Sequence, residues 1–146
     1  MSQEKVELVR SLLPGRDVDL VTLFNDDSAG GELMQTIAPL LDPDFVSVAH
    51  FPGAEPVASH GLRGLRAGWL DWLAPWASYR TEIEEMIDLE DRVVSVICDY
   101  GRREPGAREV ALKSAVVWTV HDGRIVRVEF YPGGRAEALK AAGLAE

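Results

Sequence analysis

Three ionisable side chains sit where the chain is otherwise apolar, and they set the chemistry open to it. His50 interrupts "DFVSVAHFPGAEPVASHG", Glu129 lies in "RIVRVEFY", and Asp99 follows the apolar run of "RVVSVICDYGRR". An unperturbed histidine titrates at about pH 6.5, so it can take and return a proton near neutrality. A carboxyl in apolar surroundings is pushed toward its neutral form and can then act as acid or hydrogen-bond donor. His50 is therefore the candidate base, with Glu129 and Asp99 as candidate acids. Each also has a plainer reading. His50 can be a core or rim histidine of a hairpin, Glu129 an ion-pair partner of Arg127, and Asp99 a partner of Arg102 or Arg103. His60 reads as a hairpin-end or helix-capping residue.

Other chemistries fit poorly. The three histidines (His50, His60, His121) and the lone Cys98 match no metal-ligand spacing, so no metal or other cofactor is expected. Ser114 lacks a histidine–acid pair that the sequence can place beside it, and "GLRG" has too few glycines for a phosphate loop. Lys plus Arg is 15 against 24 for Asp plus Glu, a net charge of −9, which repels nucleic acid. The apolar run Ala115–Val120 is far too short to span a membrane, and the charged "MSQEKVELVR" carries no signal-peptide apolar segment. The expectation is a cytoplasmic protein with no membrane partner.

The chain has 146 residues, 47% of them hydrophobic, which is enough for one domain with a real core. Helical spacing marks Val6, Val9, Leu12 and Leu13, stopped by Pro14-Gly15. It marks Leu20, Leu23 and Phe24 after an Asp17 cap, and then Leu33, Ile37 and Leu40–Leu41 bounded by Pro39 and Pro43. "NDDSAGG" between them reads as a loop. Phe45 to Phe51 reads as a strand, "PGAEP" as a turn and Val57 to His60 as a short return strand. Leu62, Leu65, Trp69, Trp72, Leu73 and Trp76 form the apolar stripe of the strongest helix. Four strands follow: "YRTEIEEMID" and "RVVSVICDYGRR" around Leu89–Asp91, then "EVALKSAVVWTV" and "RIVRVEFY" around Asp122-Gly123. "GRAEALKAAG" closes as a helix. Helices first and antiparallel strands after give an α+β fold with no linker or repeat.

With Asp122-Gly123 as the hairpin loop, His121 pairs with Arg124 and Trp118 with Arg127. One face then carries Ser114, Val116, Trp118, Arg127, Glu129 and Tyr131, and the other carries Ala115, Val117, Val128 and Phe130. The first mixture of aromatic and polar groups suits a ligand pocket, so Trp69, Trp118, Tyr131, Ser114 and Val116 are the expected lining. With Pro105-Gly106 at the tip of the preceding hairpin, Asp99 lies opposite Leu112 and Ile97 opposite Ser114. That puts Asp99 on the mixed face. A one-residue slip would put Cys98 and Tyr100 there instead. "EIEEMIDLED" reads as a solvated edge strand.

The order of elements resembles the SnoaL-like branch of the nuclear transport factor 2-like superfamily over nearly the whole chain. "VVWTVHDGRIVRVEFYPGGRAEALKAAGL" is similar to the family's C-terminal pattern, and "LLDPDFVSV" and "DLEDRVV" fit it too. The resemblance implies a curved sheet wrapped around helices, a cone with an internal pocket, and often a homodimer. Ketosteroid isomerases, polyketide cyclases and limonene-epoxide-type hydrolases share this fold, so fold alone does not settle function. The Gly53–Pro56 turn resembles the isomerase turn, whose preceding aspartate base corresponds here to His50. A pocket histidine of some cyclases falls near Val116, and their acid on the last strand near Glu129.

The expected function is proton transfer on a small hydrophobic carbonyl compound, with His50 as base and Glu129 or Asp99 as acid. The alternative is a non-catalytic pocket or dimerisation module. An epoxide-hydrolase-like site is third, and would need an Asp-Arg-Asp group that the sequence does not assemble.

Overall fold

The structure, a computed structural model, describes residues 2–13, 15–51, 53–132 and 134–143. Pro14 and Pro52, expected to stop the first helix and open the hairpin turn, lie outside them. The elements run α1 (Ser2–Leu12), α2 (Leu20–Asn25), α3 (Asp27–Ile37), a 3-10 turn (Ala38–Leu40), β1 (Leu41–Ala49) and β2 (Val57–His60). Then come α4 (Gly61–Leu73), β3 (Ser78–Asp88), β4 (Arg92–Arg102), β5 (Val110–His121), β6 (Arg124–Tyr131) and α5 (Arg135–Ala141). The six strands form one mixed sheet, ordered β2-β1-β6-β5-β4-β3, curled but not closed. All neighbours are antiparallel except β1 and β6.

Two local expectations give way. "NDDSAGG" is not a loop, because α3 begins at Asp27. Asp26 takes extended backbone and its carboxylate accepts the Ser28 N–H at 2.9 Å, which caps the new helix. Gly30 belongs in this helix for a packing reason: a Cβ there would come within 3.1 Å of the Leu23 carbonyl oxygen at the end of α2. The cap of α2 is Asp19 rather than Asp17. Its carboxylate accepts from Val21 N at 3.1 Å and from Tyr79 N at 3.1 Å, tying α2 to the start of β3. Strand β1 also starts earlier than Phe45, with Pro43 inside it and an irregular register against β6 between Leu41 and Val46.

The sheet separates two cores. Its inner face presents Phe45, Val93, Ile97, Val116, Trp118, Ile125 and Val128 to Val9 of α1, Ile37 of α3, and Leu62 and Leu65 of α4. Its outer face presents Val94, Val96, Ala115, Val117 and Tyr131 to Ala138 and Leu139 of α5. Each of the larger aliphatic side chains among them contributes about 1.5–3 kcal/mol by leaving water, so a one-residue slip is strongly opposed. The β5–β6 turn has positive φ at Asp122 (53°) and Gly123 (76°), which a two-residue hairpin loop of matching twist requires. At the far end of the inner face the Trp76 ring lies flat on Gly101. A Cβ at Gly101 would meet the ring at 2.5 Å, and Tyr79 (5.4 Å between centroids) and the Arg103 guanidinium (4.4 Å) hold that ring. Gly101→Ala is therefore expected to lower stability by about 1–3 kcal/mol in chemical denaturation. No measurable loss would show that the ring is not held there.

Candidate active site

Asp99 stands on the inner face of β4, opposite Thr81 of β3 and Leu112 of β5, the register expected from the Pro105-Gly106 tip. It is 6% exposed. The Tyr79 hydroxyl donates to Asp99 Oδ2 at 2.6 Å, and Trp72 Nε1 donates to Tyr79 Oη at 2.8 Å. The direction of this chain is fixed chemically. An indole N–H can only donate, so the phenol accepts from Trp72 and spends its own proton on Asp99. Among the described residues neither Asp99 Oδ1 nor the neighbouring Thr81 Oγ1, both buried, has a well-formed hydrogen-bond partner.

Burial pushes the Asp99 carboxyl above the usual carboxylate range, and the nearby Thr81 and Tyr79 hydroxyls only partly oppose it. The Tyr79 phenol is likewise raised, first by burial and then by Asp99 beside it. Because Oδ2 already accepts from Tyr79, the proton of a neutral Asp99 belongs on Oδ1. When Asp99 is neutral, the inner face presents its Oδ1–H beside the Thr81 hydroxyl, which lies near the Asp99 carboxyl without a well-formed hydrogen bond to it. Buried orphan groups of this kind are uncommon and favour an arriving acceptor. Thr81 forms part of the wall of a cleft of about 320 Å³ between β3 and the end of α1. Ile83 and Leu13 give that cleft apolar wall, and Arg10, Gly15, Arg16 and Glu82 complete it.

His50 and Glu129 also meet, as their candidate roles require, but elsewhere. His50 Nε2 lies 3.1 Å from Glu129 Oε2, and its ring stacks on Tyr131 with centroids 4.4 Å apart and planes 3° from parallel. The same Glu129 oxygen lies 3.4 Å from Arg127 Nη2 and 3.5 Å from Tyr131 Oη. Burial and the Glu129 charge push the Tyr131 phenol up to about 12.

The expected common face of Trp118, Arg127, Glu129 and Tyr131 is split by one residue. Val120 pairs with Ile125, but Thr119 pairs with Arg127, which leaves Val126 as a bulge. Beyond it Trp118 pairs with Val128 instead of Arg127, Val117 with Glu129, and Ala115 with Tyr131. Glu129 and Tyr131 consequently share the outer face with Val117, and His50 follows them. Asp99, Trp118, Val116, Ser114 and Trp69 stay on the inner side. Trp118 is core, 8% exposed, and donates to Ser95 Oγ at 2.9 Å. Trp69 is half-buried between Phe24 and Phe130. Tyr79, Thr81 and Trp72 were not among the sequence candidates. Their signal was the alternation of Tyr79 and Thr81 on the strand facing Asp99.

Among the described residues no group of three or more His, Cys, Asp or Glu is placed to hold a metal, and no helix is long and apolar enough to cross a membrane. The sequence model of the SnoaL-like domain family matches residues 19–128, most of the chain and all of the inner face of the sheet up to Val128. The chain belongs to the SnoaL-like domain family. No curated protein matches this SnoaL-like chain. Among solved structures it is similar to a putative SnoaL-like polyketide cyclase from Jannaschia sp. CCS1, at 16% identity and TM-score 0.65, over 89% of this chain and 85% of that one. It is similar to an NTF2-like protein of unknown function from Burkholderia pseudomallei K96243, at 19% identity and TM-score 0.63, over 96% and 97%. A third is a protein with a ketosteroid isomerase-like fold from Catenulispora acidiphila DSM 44928, in complex with trimethylamine, at 18% identity and TM-score 0.56, over 85% and 92%. Identities this low show the fold alone.

In this SnoaL-like domain the His50–Glu129 pair is partly buried, with side chains 24% and 19% exposed, and lies outside the inner face. His50→Ala is expected to lower stability by about 1 kcal/mol, from a partly screened pair and a lost ring stack. It should leave binding of carbonyl compounds unchanged. Lost binding at unchanged stability would return His50 to the site.

Proposed function

We propose that this SnoaL-like domain takes a small hydrophobic carbonyl compound on the inner face of its sheet. Asp99 and Thr81 donate hydrogen bonds to the carbonyl oxygen. Donors aimed at an oxygen that gains negative charge favour proton transfer at the adjacent carbon, as in isomerisation or ring closure. The observation that carries this reading is the Asp99 carboxyl: buried, pushed toward its neutral form, anchored through Oδ2 by Tyr79 and left open at Oδ1. The apolar walls around it strengthen any such hydrogen bond. The test is exchange of the α-hydrogens of 2-tetralone in heavy water, followed by proton NMR. Wild-type protein is expected to exceed buffer catalysis, and Asp99→Ala to remove most of the excess. Equal exchange by the two proteins would contradict the assignment.

A second reading has one observation in its favour. His50 and Glu129, the groups suited to a base, lie on the outer face and away from Asp99. A domain that holds the carbonyl without turning it over would bind 2-tetralone in an Asp99-dependent way and leave its exchange at the buffer rate.

A further inference from the structure

The wall of the cleft beside Thr81 carries a charge pattern that the carbonyl reading does not use. Arg10 and Arg16 line it from the end of α1 and the segment after it. Arg16 has no carboxylate partner among the described residues. Among the described residues Arg10 pairs with Glu7 alone, one turn back and 3.9 Å away, with both side chains about half exposed. A pair of that kind contributes little and leaves the guanidinium available. The one acid in the wall, Glu82, is already engaged by Arg80, which also reaches Glu109 at 3.4 Å. Two arginines therefore line one cleft in a chain whose net charge is −9. The same wall carries the apolar Leu13 and Ile83 together with Thr81, and Asp99 stands next to Thr81 on the neighbouring strand, outside the wall.

We propose that the ligand is a small keto acid: a carboxylate held by Arg10 and Arg16, an apolar body along Leu13 and Ile83, and a distal carbonyl oxygen at Thr81 and Asp99. This rests on the carbonyl reading above and adds to it the ligand's charge. A cleft of about 320 Å³ is at the small end of ligand sites, which suits one ring and a short chain. Guanidinium forks match a carboxylate in shape and charge, so the arginines select an anion, while the buried hydroxyls select an oxygen at the other end.

Three probes separate the parts in calorimetric titrations: 3-benzoylpropionate, its methyl ester, and 4-phenylbutyrate, which keeps the carboxylate and lacks the ketone. The keto acid is expected to bind at least tenfold more tightly than the ester. Arg10→Gln with Arg16→Gln should bring the keto acid to the ester's affinity and leave the ester unchanged. The phenylbutyrate should bind more weakly than the keto acid, and its affinity should not respond to Asp99→Ala. If ester and acid bind equally and the arginine changes do nothing, the anion subsite is overturned while the carbonyl site stands. If the ester does not bind, or binds independently of Asp99, the carbonyl reading falls and this inference with it.

Discussion

Tyr79→Phe is expected to lower stability by about 2–3 kcal/mol, although it deletes one oxygen and keeps the ring. The hydroxyl serves two groups at once: it accepts from Trp72 Nε1 and donates to Asp99 Oδ2. Without it the indole N–H and a buried carboxyl oxygen both lose their partners, and each orphaned buried group costs about 1–3 kcal/mol. The ring itself is 1% exposed and packs edge-on against Trp72 and Trp76, so no water can replace the lost hydroxyl without a new cavity. The change should also push the Asp99 carboxyl higher still, because the Tyr79 hydrogen bond is one of the two influences that hold it down. Tyr131→Phe is the internal control. Its hydroxyl makes a single long contact of 3.5 Å to Glu129, so less than about 1 kcal/mol should be lost. Equal losses for the two variants in urea denaturation would show that the Trp72–Tyr79–Asp99 chain carries no special weight.

Asp99→Asn is expected to change the pH dependence of stability more than its magnitude at acid pH. Burial raises the folded-state pKa of Asp99 above that of the unfolded chain. Between the two values the native protein binds more protons than the unfolded one, so stability is fully present below the unfolded pKa and falls as pH rises through the folded pKa. Each unit of displacement is worth about 1.4 kcal/mol. An asparagine accepts from Tyr79 through its carbonyl and places its amide N–H groups where Oδ1 stands, and it does not titrate. The variant should lose the fall in stability and become more stable than wild type at the alkaline end. Ligand affinity should follow the same logic. Wild type should release 3-benzoylpropionate methyl ester as Asp99 ionises, whereas the variant should bind it at every pH within a few fold of the wild-type acid-pH value. Denaturant midpoints that fall in parallel for both proteins would contradict this.

How much of this was readable from sequence depended on which scale of order mattered. The alternation of apolar residues, the Asp122-Gly123 turn and the tryptophan spacing of α4 are local signals. They gave the α+β order and most element limits, as seen in β6 from Arg124 to Tyr131. The partners of Asp99 across β5 were legible because Pro105-Gly106 marks the hairpin tip. The proximity of His50 and Glu129 was legible through the family resemblance, but not the face on which they meet. One bulged residue, Val126, inverts every assignment beyond it, and nothing in "RIVRVEFY" marks it, because Val126 and Val128 look alike to a pattern of period two. A second register shift, between Ile83 and Glu85 in β3, similarly hid which of Tyr79, Arg80 and Thr81 would face Asp99. The acidic run "EIEEMIDLED" is an outer-edge feature that draws attention away from the two hydroxyl residues preceding it. "NDDSAGG" misled in the other direction. Its glycines read as a loop, whereas Gly30 is there for the close approach of α2 to α3.

The protonation state of Asp99 can be read directly from its carboxyl carbon. In a pH titration by carbon-13 NMR, with the resonance assigned by comparison with Asp99→Asn, the Asp99 signal should stay at its protonated position through the pH range in which the carboxyl of a short aspartyl peptide ionises. It should move only at higher pH. An Asp99 carboxyl that titrates together with the peptide would contradict the account, because a charged group there offers no proton to a ligand oxygen.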